Sequence, residues 1–199
     1  MTFLFDIGKV LLNFDFLPSL AKLLPPGLIP RFDRIATLLD RRIEFETGAL
    51  DPDEFVTWAL GVLQSPATPD EFRSAWRHVF FPVDAMWPAV NRLAAGGHRL
   101  ILFSNTNALH CPWVFEEFPE FGVFKEAVLS FEVGAMKPDP RIYQHAIDAY
   151  QLDPARTRYI DDLPENIARG REFGFRCFQY DLTDHAAFER WLAAELAEG

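Results

Sequence analysis

The stretch Thr2-Phe3-Leu4-Phe5-Asp6-Ile7-Gly8 decides the fold. A short apolar run stops at an acid, and a glycine two positions later allows a tight turn. A strand inside a parallel sheet is covered on both faces, so it shows no alternation of polar and apolar residues. The run therefore predicts a buried strand over residues 2–5, with Asp6 at its carboxyl end. Val10-Leu11-Leu12 is a second short apolar run, ending at Asn13 and Asp15.

Moving outward, the character changes at residue 16. Leu17, Leu20, Leu23 and Leu24 recur at helical spacing, as do Ile35, Leu38, Leu39, Ile43 and, less regularly, Phe45. Asp51-Pro52-Asp53-Glu54 has the form of an N-cap followed by proline and a capping acid. The helix after it carries Phe55, Trp58, Ala59 and Val62 on one face. Pro69-Asp70-Glu71 opens another, carrying Phe72, Trp76 and Phe80. No convincing strand is visible between residues 16 and 83, which predicts a compact insert of about four helices.

From residue 84 strands and helices alternate. Strands are expected at 99–103, 127–130, 158–160 and 175–178, with helices at 86–95, 140–150, 164–173 and 186–196. Such alternation means βαβ units and a mostly parallel sheet. The expected organisation is an α/β core domain of residues 1–15 and 84–199, with a helical domain of residues 16–83 inserted after the first strand.

The chain has 199 residues, 49% of them hydrophobic and 24% charged, as expected of a globular protein. The formal net charge of −10 and the absence of a basic stripe speak against a nucleic-acid partner. No apolar stretch is long enough to span a membrane or to form the core of a signal peptide. Cys111 and Cys177 show no metal-like spacing and fit thiols in a reducing cytoplasm. The five histidines are isolated, so there is no zinc signature.

In parallel α/β sheets ligands sit beyond the carboxyl ends of the strands. The loops there hold Asp6, Ser104-Asn105-Thr106-Asn107, Lys137-Pro138 and Asp161-Asp162. Three acids, a lysine and a hydroxyl at one sheet edge suit a hard cation beside an anion site. Each has a plainer reading. An acid after an apolar run is more often a cap or turn residue, and Asp161-Asp162 could be an N-cap with its first-turn acid. Their shared position after strands favours chemistry.

These segments, in this order, resemble the four motifs of the haloacid dehalogenase superfamily. The first is Phe3-Leu4-Phe5-Asp6-Ile7-Gly8-Lys9-Val10-Leu11, the second Leu102-Phe103-Ser104-Asn105, and the third Met136-Lys137-Pro138-Asp139-Pro140-Arg141-Ile142-Tyr143. The fourth is Tyr159-Ile160-Asp161-Asp162-Leu163-Pro164-Glu165-Asn166-Ile167. The match covers essentially the whole chain, and the helical insert corresponds to the family's small cap. Further matches, including Ser104-Asn105-Thr106-Asn107 with His110, Trp113, and Arg141-Ile142-Tyr143-Gln144-His145, resemble bacterial sugar-phosphate phosphatases of the α-D-glucose-1-phosphate phosphatase type.

The resemblance implies a Rossmann-like core and a Mg²⁺-dependent phosphatase acting on a small phosphorylated metabolite, as a monomer or homodimer. Asp6 would be the nucleophile, forming an aspartyl-phosphate. Mg²⁺ would be held by Asp6, the Gly8 backbone carbonyl and Asp162, with Asp161 orienting that shell. Ser104, the Asn105 N–H and Lys137 would hold the phosphoryl group, with Asn107 and His110 near the substrate. Arg42, Glu46 and Trp76 of the insert are candidates for substrate contact, though each reads more readily as a surface or packing residue. The sequence departs from the family at Gly8, where most members carry a second Asp as general acid and base. That step would need water or a neighbour such as Asp15, or a leaving group that needs less help, such as an anomeric sugar oxygen. Alternatives are a 2-haloacid dehalogenase, which lacks that second Asp too, and a non-catalytic binding protein.

Overall fold

The computed structural model describes residues 1–25 and 32–198, the side chains of residues 32 and 33 aside. Residues 26–31 of the expected helical insert, and residue 199, lie outside the described residues. In chain order the elements are β1 Thr2–Phe5, β2 Leu12–Phe14, α1 Leu17–Leu20, α2 Phe32–Thr37, α3 Arg42–Glu46, α4 Pro52–Leu63, α5 Pro69–Arg77, β3 Phe80–Pro82 and α6 Trp87–Ala95. They continue with β4 Arg99–Ser104, α7 Cys111–Glu117, β5 Glu126–Leu129, α8 Ser130–Val133, α9 Pro140–Tyr150, β6 Thr157–Asp161, α10 Pro164–Glu172, β7 Arg176–Gln179 and α11 His185–Glu198.

Five strands form one sheet in the order β5-β4-β1-β6-β7, every neighbouring pair parallel. The expected Rossmann-like α/β core is therefore present. β1 is central, and Phe5 faces Leu102 on one side and Ile160 on the other. Alternate residues of β1 feed opposite faces. Phe3 and Phe5 join α6 and α11 in one apolar cluster, while Leu4 joins α9 and α10 in another. Phe3, Leu4 and Phe5 are all fully buried. That explains the unbroken apolar run, since each such side chain contributes about 1.5–3 kcal/mol on burial.

The helical insert has its own apolar cluster, built on Phe45, Phe55, Phe72 and Trp76 and joined by Leu109 from the loop after β4. Asp51 caps α4 by accepting from Asp53 and Glu54 N–H, and Thr68 forms a capping box with Glu71 on α5. Two expectations are corrected. The buried stripe of α4 is Phe55, Val56, Ala59 and Leu63; Trp58 and Val62 are only partly covered. The segment 16–83 also contains a strand after all, β3, which pairs antiparallel with β2. Phe80 thus belongs to that strand and not to α5. Three residues are too few for alternation to show in sequence. The β2–β3 pair closes the stalk from which the helices project.

Gly48, just after α3, fixes the insert against the core. Its φ is +72°, and a Cβ there would stand 2.3 Å from the carbonyl oxygen of Phe131 in α8. Backbone offers no rotamer to move aside, and the left-handed conformation adds its own penalty. Gly48→Ala is expected to destabilise the protein by about 2 kcal/mol or more, seen as a lower urea midpoint at unchanged slope.

Candidate active site

The sheet order brings the strand-end residues together. In an open parallel sheet, ligands gather where the strand order reverses, here on either side of β1. Asp6 leaves β1, Ser104 ends β4, Asp161 ends β6, and Lys137 arrives from the loop after α8.

Lys137 is the hub. Its ammonium is buried, 3.0 Å from Asp6 Oδ1 and 2.6 Å from Asp161 Oδ2, and donates to the Phe103 carbonyl at 2.7 Å. Burial alone would lower its pKa, but Asp161 and Asp6 beside it hold it above the ordinary lysine value. Asp6 Oδ1 also accepts from Ser104 Oγ at 2.7 Å and from Ile7 N–H at 2.8 Å. Burial pushes the Asp6 carboxyl up to about 7, against the pull of Lys137 and with a push from Asp161.

Asp161 is fully buried and saturated with donors. Besides Lys137 it accepts from the Tyr159 hydroxyl at 2.5 Å, Asn166 Nδ2 at 3.0 Å and Leu163 N–H at 2.9 Å. Asp162 is partly exposed, with Lys9 Nζ 4.0 Å away. Its carboxyl is raised by burial and by Asp161, against Lys9 and Lys137. Ligand oxygens of Asp6, Asp161 and Asp162 lie within 4.8 Å of one another.

The structure therefore brings Asp6, Ser104, Lys137, Asp161 and Asp162 into one cluster. Asn105 lies beside it, its side chain paired with the Lys137 backbone in both directions, at 2.9 and 2.8 Å. What Asn105 can turn to a ligand is its backbone N–H. Asn107 is buried and largely committed internally. Its oxygen accepts from Leu109 and His110 N–H, and its amide nitrogen meets His110 Nδ1 at 3.1 Å. Asp15 is exposed and accepts from Leu17 N–H, away from the cavity lining. At Gly8, a Cβ would meet the Phe14 ring at 3.3 Å, so a side chain there requires the ring to give by a few tenths of an ångström. Tyr159 was missed, because it reads as an ordinary strand aromatic. Asn166 belongs to the fourth motif but was given no role; it is buried and donates to Asp161.

A cavity of about 350 Å³ runs from Asp6, Lys137 and Asp162 to the insert, where Arg42, Glu46 and Trp76 line its far wall. That volume suits a small-molecule ligand. His110 Nε2 meets the Trp76 carbonyl at 2.9 Å and its ring stacks on Trp76, so the loop after β4 is tied to α5.

A buried carboxylate, a buried lysine and further acids thus meet at the switch point of a Rossmann-like sheet, facing the helical insert. Residues 1–174 match the family model for haloacid dehalogenase-like hydrolases, and the chain belongs to that family. It is 28% identical over 185 residues to D-ribitol-5-phosphate phosphatase of Bacteroides thetaiotaomicron, covering 88% of this chain and 89% of that protein. Among solved structures it is similar to a HAD family enzyme of the same organism, crystallised with magnesium and inorganic phosphate. The TM-score is 0.79 at 24% identity, over 91% of this chain and 94% of that one. A predicted HAD-like hydrolase of Porphyromonas gingivalis gives 0.76 at 22% identity, over 96% and 97%.

His110 supplies a test of the cap joint. Burial pulls its pKa from 6.5 down to about 3, despite the bond to the Trp76 carbonyl. Below pH 6.5 the unfolded chain takes up a proton that the folded protein refuses, so this contribution is full above 6.5 and fades toward pH 3. Comparing wild type with His110→Gln by urea denaturation isolates it. Between pH 6 and 4 the wild type is expected to lose up to about 1.4 kcal/mol more per pH unit than the variant.

Proposed function

We propose that this protein is a magnesium-dependent phosphatase that hydrolyses small phosphomonoesters through an aspartyl-phosphate on Asp6. The observation that carries the proposal is the Asp6–Lys137–Asp161 cluster at the base of a cavity roofed by the insert. The reading is supported by the phosphatase relative and by the magnesium and phosphate bound in the similar structure.

The residues fit a magnesium ion. The donors are all oxygens, as a hard cation requires. Three carboxylates converge beside one buried ammonium, an excess of negative charge that a divalent cation would balance. Asn166 Oδ1 is buried without a hydrogen-bond partner beside this cluster, an acceptor in reach of an ion's water shell. Asp6, the Gly8 carbonyl and Asp162 would hold the ion, while Asp161 is spent on orienting Lys137, Tyr159 and Asn166. When bound, the ion neutralises charge on the phosphoryl group and keeps Asp6 ionised.

The chain's own residues supply the rest. Asp6 attacks phosphorus, its carboxylate fixed by Ser104 and Ile7 N–H. Lys137 stabilises charge on nucleophile and phosphoryl oxygens, and Ser104 Oγ and the Asn105 N–H take further oxygens. Asn107 shapes the wall, with little side-chain capacity left for phosphate. Because Gly8 offers no acid, a leaving oxygen of low basicity is favoured, which points to sugar phosphates such as α-D-glucose 1-phosphate. The free thiols Cys111 and Cys177 suit a reducing cytoplasm.

Phosphate release from a chromogenic aryl phosphate is expected to need Mg²⁺ and to vanish with a chelator. Asp6→Asn should lower kcat by about a thousandfold or more while the fold persists. Halide release from 2-chloropropionate without metal would overturn the reading. In kcat/KM, glucose 1-phosphate should exceed glucose 6-phosphate by about tenfold or more, and parity would remove the leaving-group argument.

A further inference from the structure

The reaction proposed above needs a proton for the leaving oxygen and later a base for water, and position 8 supplies neither. The search for that group can be confined to titratable side chains lining the cavity away from the metal cluster. Among the described residues these are Lys9, Arg42, Glu46, His110 and Cys111. Lys9 stands beside Asp162, at the metal end. A guanidinium does not give up its proton in a protein, which removes Arg42. His110 has both ring nitrogens bound, one to Asn107 and one to the Trp76 carbonyl, and burial keeps it neutral. Burial pushes the Cys111 thiol up to about 12. Glu46 remains.

Glu46 is the last residue of α3, on the cavity wall contributed by the insert. Arg42, one turn earlier, donates Nε to its Oε2 at 3.0 Å, a contact that holds the side chain in place. Two residues later the Gly48 backbone lies against the Phe131 carbonyl of α8, too close to admit a Cβ, so the helix end packs directly on the core. Burial raises the Glu46 carboxyl above its ordinary value, against the pull of Arg42 and Lys137. An upward shift moves a carboxyl toward the range in which it can serve as an acid.

We propose that Glu46, supplied by the cap, is the acid and base that position 8 lacks. This rests on the phosphatase reading. As Asp6 bonds to phosphorus and the bond to the leaving oxygen breaks, the Glu46 carboxyl gives its proton to that oxygen, which departs as an alcohol. The Glu46 carboxylate then takes a proton from water as the water oxygen attacks the aspartyl-phosphate. Inorganic phosphate leaves, Asp6 returns as a carboxylate, and Glu46 regains its proton. Acid help from across the cavity lets simple alkyl phosphates such as glucose 6-phosphate turn over as well, more slowly than an anomeric ester whose oxygen needs less help.

The test is dependence on the leaving group. Wild type, Glu46→Gln and Glu46→Asp are assayed with Mg²⁺ on p-nitrophenyl phosphate and glucose 6-phosphate, with thermal melts as a check on folding. A nitrophenolate leaves without a proton, whereas a sugar alkoxide does not. In its first, phosphorus-transfer step, read as kcat/KM, Glu46→Gln should lose about a hundredfold on glucose 6-phosphate and no more than about threefold on the aryl ester. Glu46→Asp should recover part of the loss on glucose 6-phosphate alone. An equal loss on both esters, or no loss on either, would overturn the assignment while leaving the phosphatase intact. A wild type without metal-dependent phosphate release would remove both.

Discussion

The structure of the site depends on one buried ammonium. Lys137 Nζ is nearly sealed from water and lies between two carboxylates, 3.0 Å from Asp6 and 2.6 Å from Asp161. Taking such charges out of water costs several kcal/mol each, and the arrangement holds only if the remaining hydrogen-bonding capacity is met. Here it is met by Phe103 carbonyl on the lysine and by Tyr159, Asn166 and Leu163 N–H on Asp161. With Asp162 included, three carboxylates face Lys137, and the exposed Lys9 stands 4.0 Å from Asp162 alone. The excess of negative charge is close to what a divalent cation would balance. Under the proposed function, metal and phosphate would bind at the carboxylates and ammonium that meet at the strand ends.

That cluster in turn requires the sheet. Asp6 and Asp161 come from adjacent strands in register, Phe5 opposite Ile160, so their following residues emerge side by side. On the other flank of β1, Phe5 pairs with Leu102, and Ser104 ends β4 two residues further on. A strand slip of one residue would turn each of these side chains to the opposite face. The fully apolar faces of β1 prevent such slips, because Phe3 and Phe5 pack into one cluster and Leu4 into the other. Fold stability and site geometry are therefore the same constraint seen at two scales.

How much was legible in the sequence follows from how local each signal is. Thr2-Phe3-Leu4-Phe5 before Asp6 could be read because a doubly buried strand must be apolar throughout. Asp51 could be read because a cap acts over three residues; the helix start at Pro69-Asp70-Glu71 was read too, but not Thr68 as its cap. The β2–β3 pair could not be read, since its pairing joins residues 12–14 to 80–82 across the whole insert and each strand is too short to carry a period. Likewise nothing local marks Asn105 as the partner of the Lys137 backbone, or Asn107 as a cap for its own loop; those roles arise from contacts closed only in the fold. The stripe on α4 was misplaced for a related reason. Trp58 and Val62 fit the helical period, but the neighbours that decide which apolar residues are covered come from α5 and the loop after β4.

The proposed proton source lies across the cavity from the sheet. At position 8 a Cβ would stand 3.3 Å from the Phe14 ring, so a side chain there requires the ring to give by a few tenths of an ångström. An acid on the cap is useful only if that wall is held still, since catalytic groups lose effect within an ångström of displacement. Two close contacts join the wall to the core: the Gly48 backbone lies against the Phe131 carbonyl of α8, and His110, in the loop after β4, is bonded to the Trp76 carbonyl and stacked on its ring. Under the Glu46 proposal the range of alcohols that can leave is a property of the cap, while the phosphoryl end of the reaction belongs to the sheet.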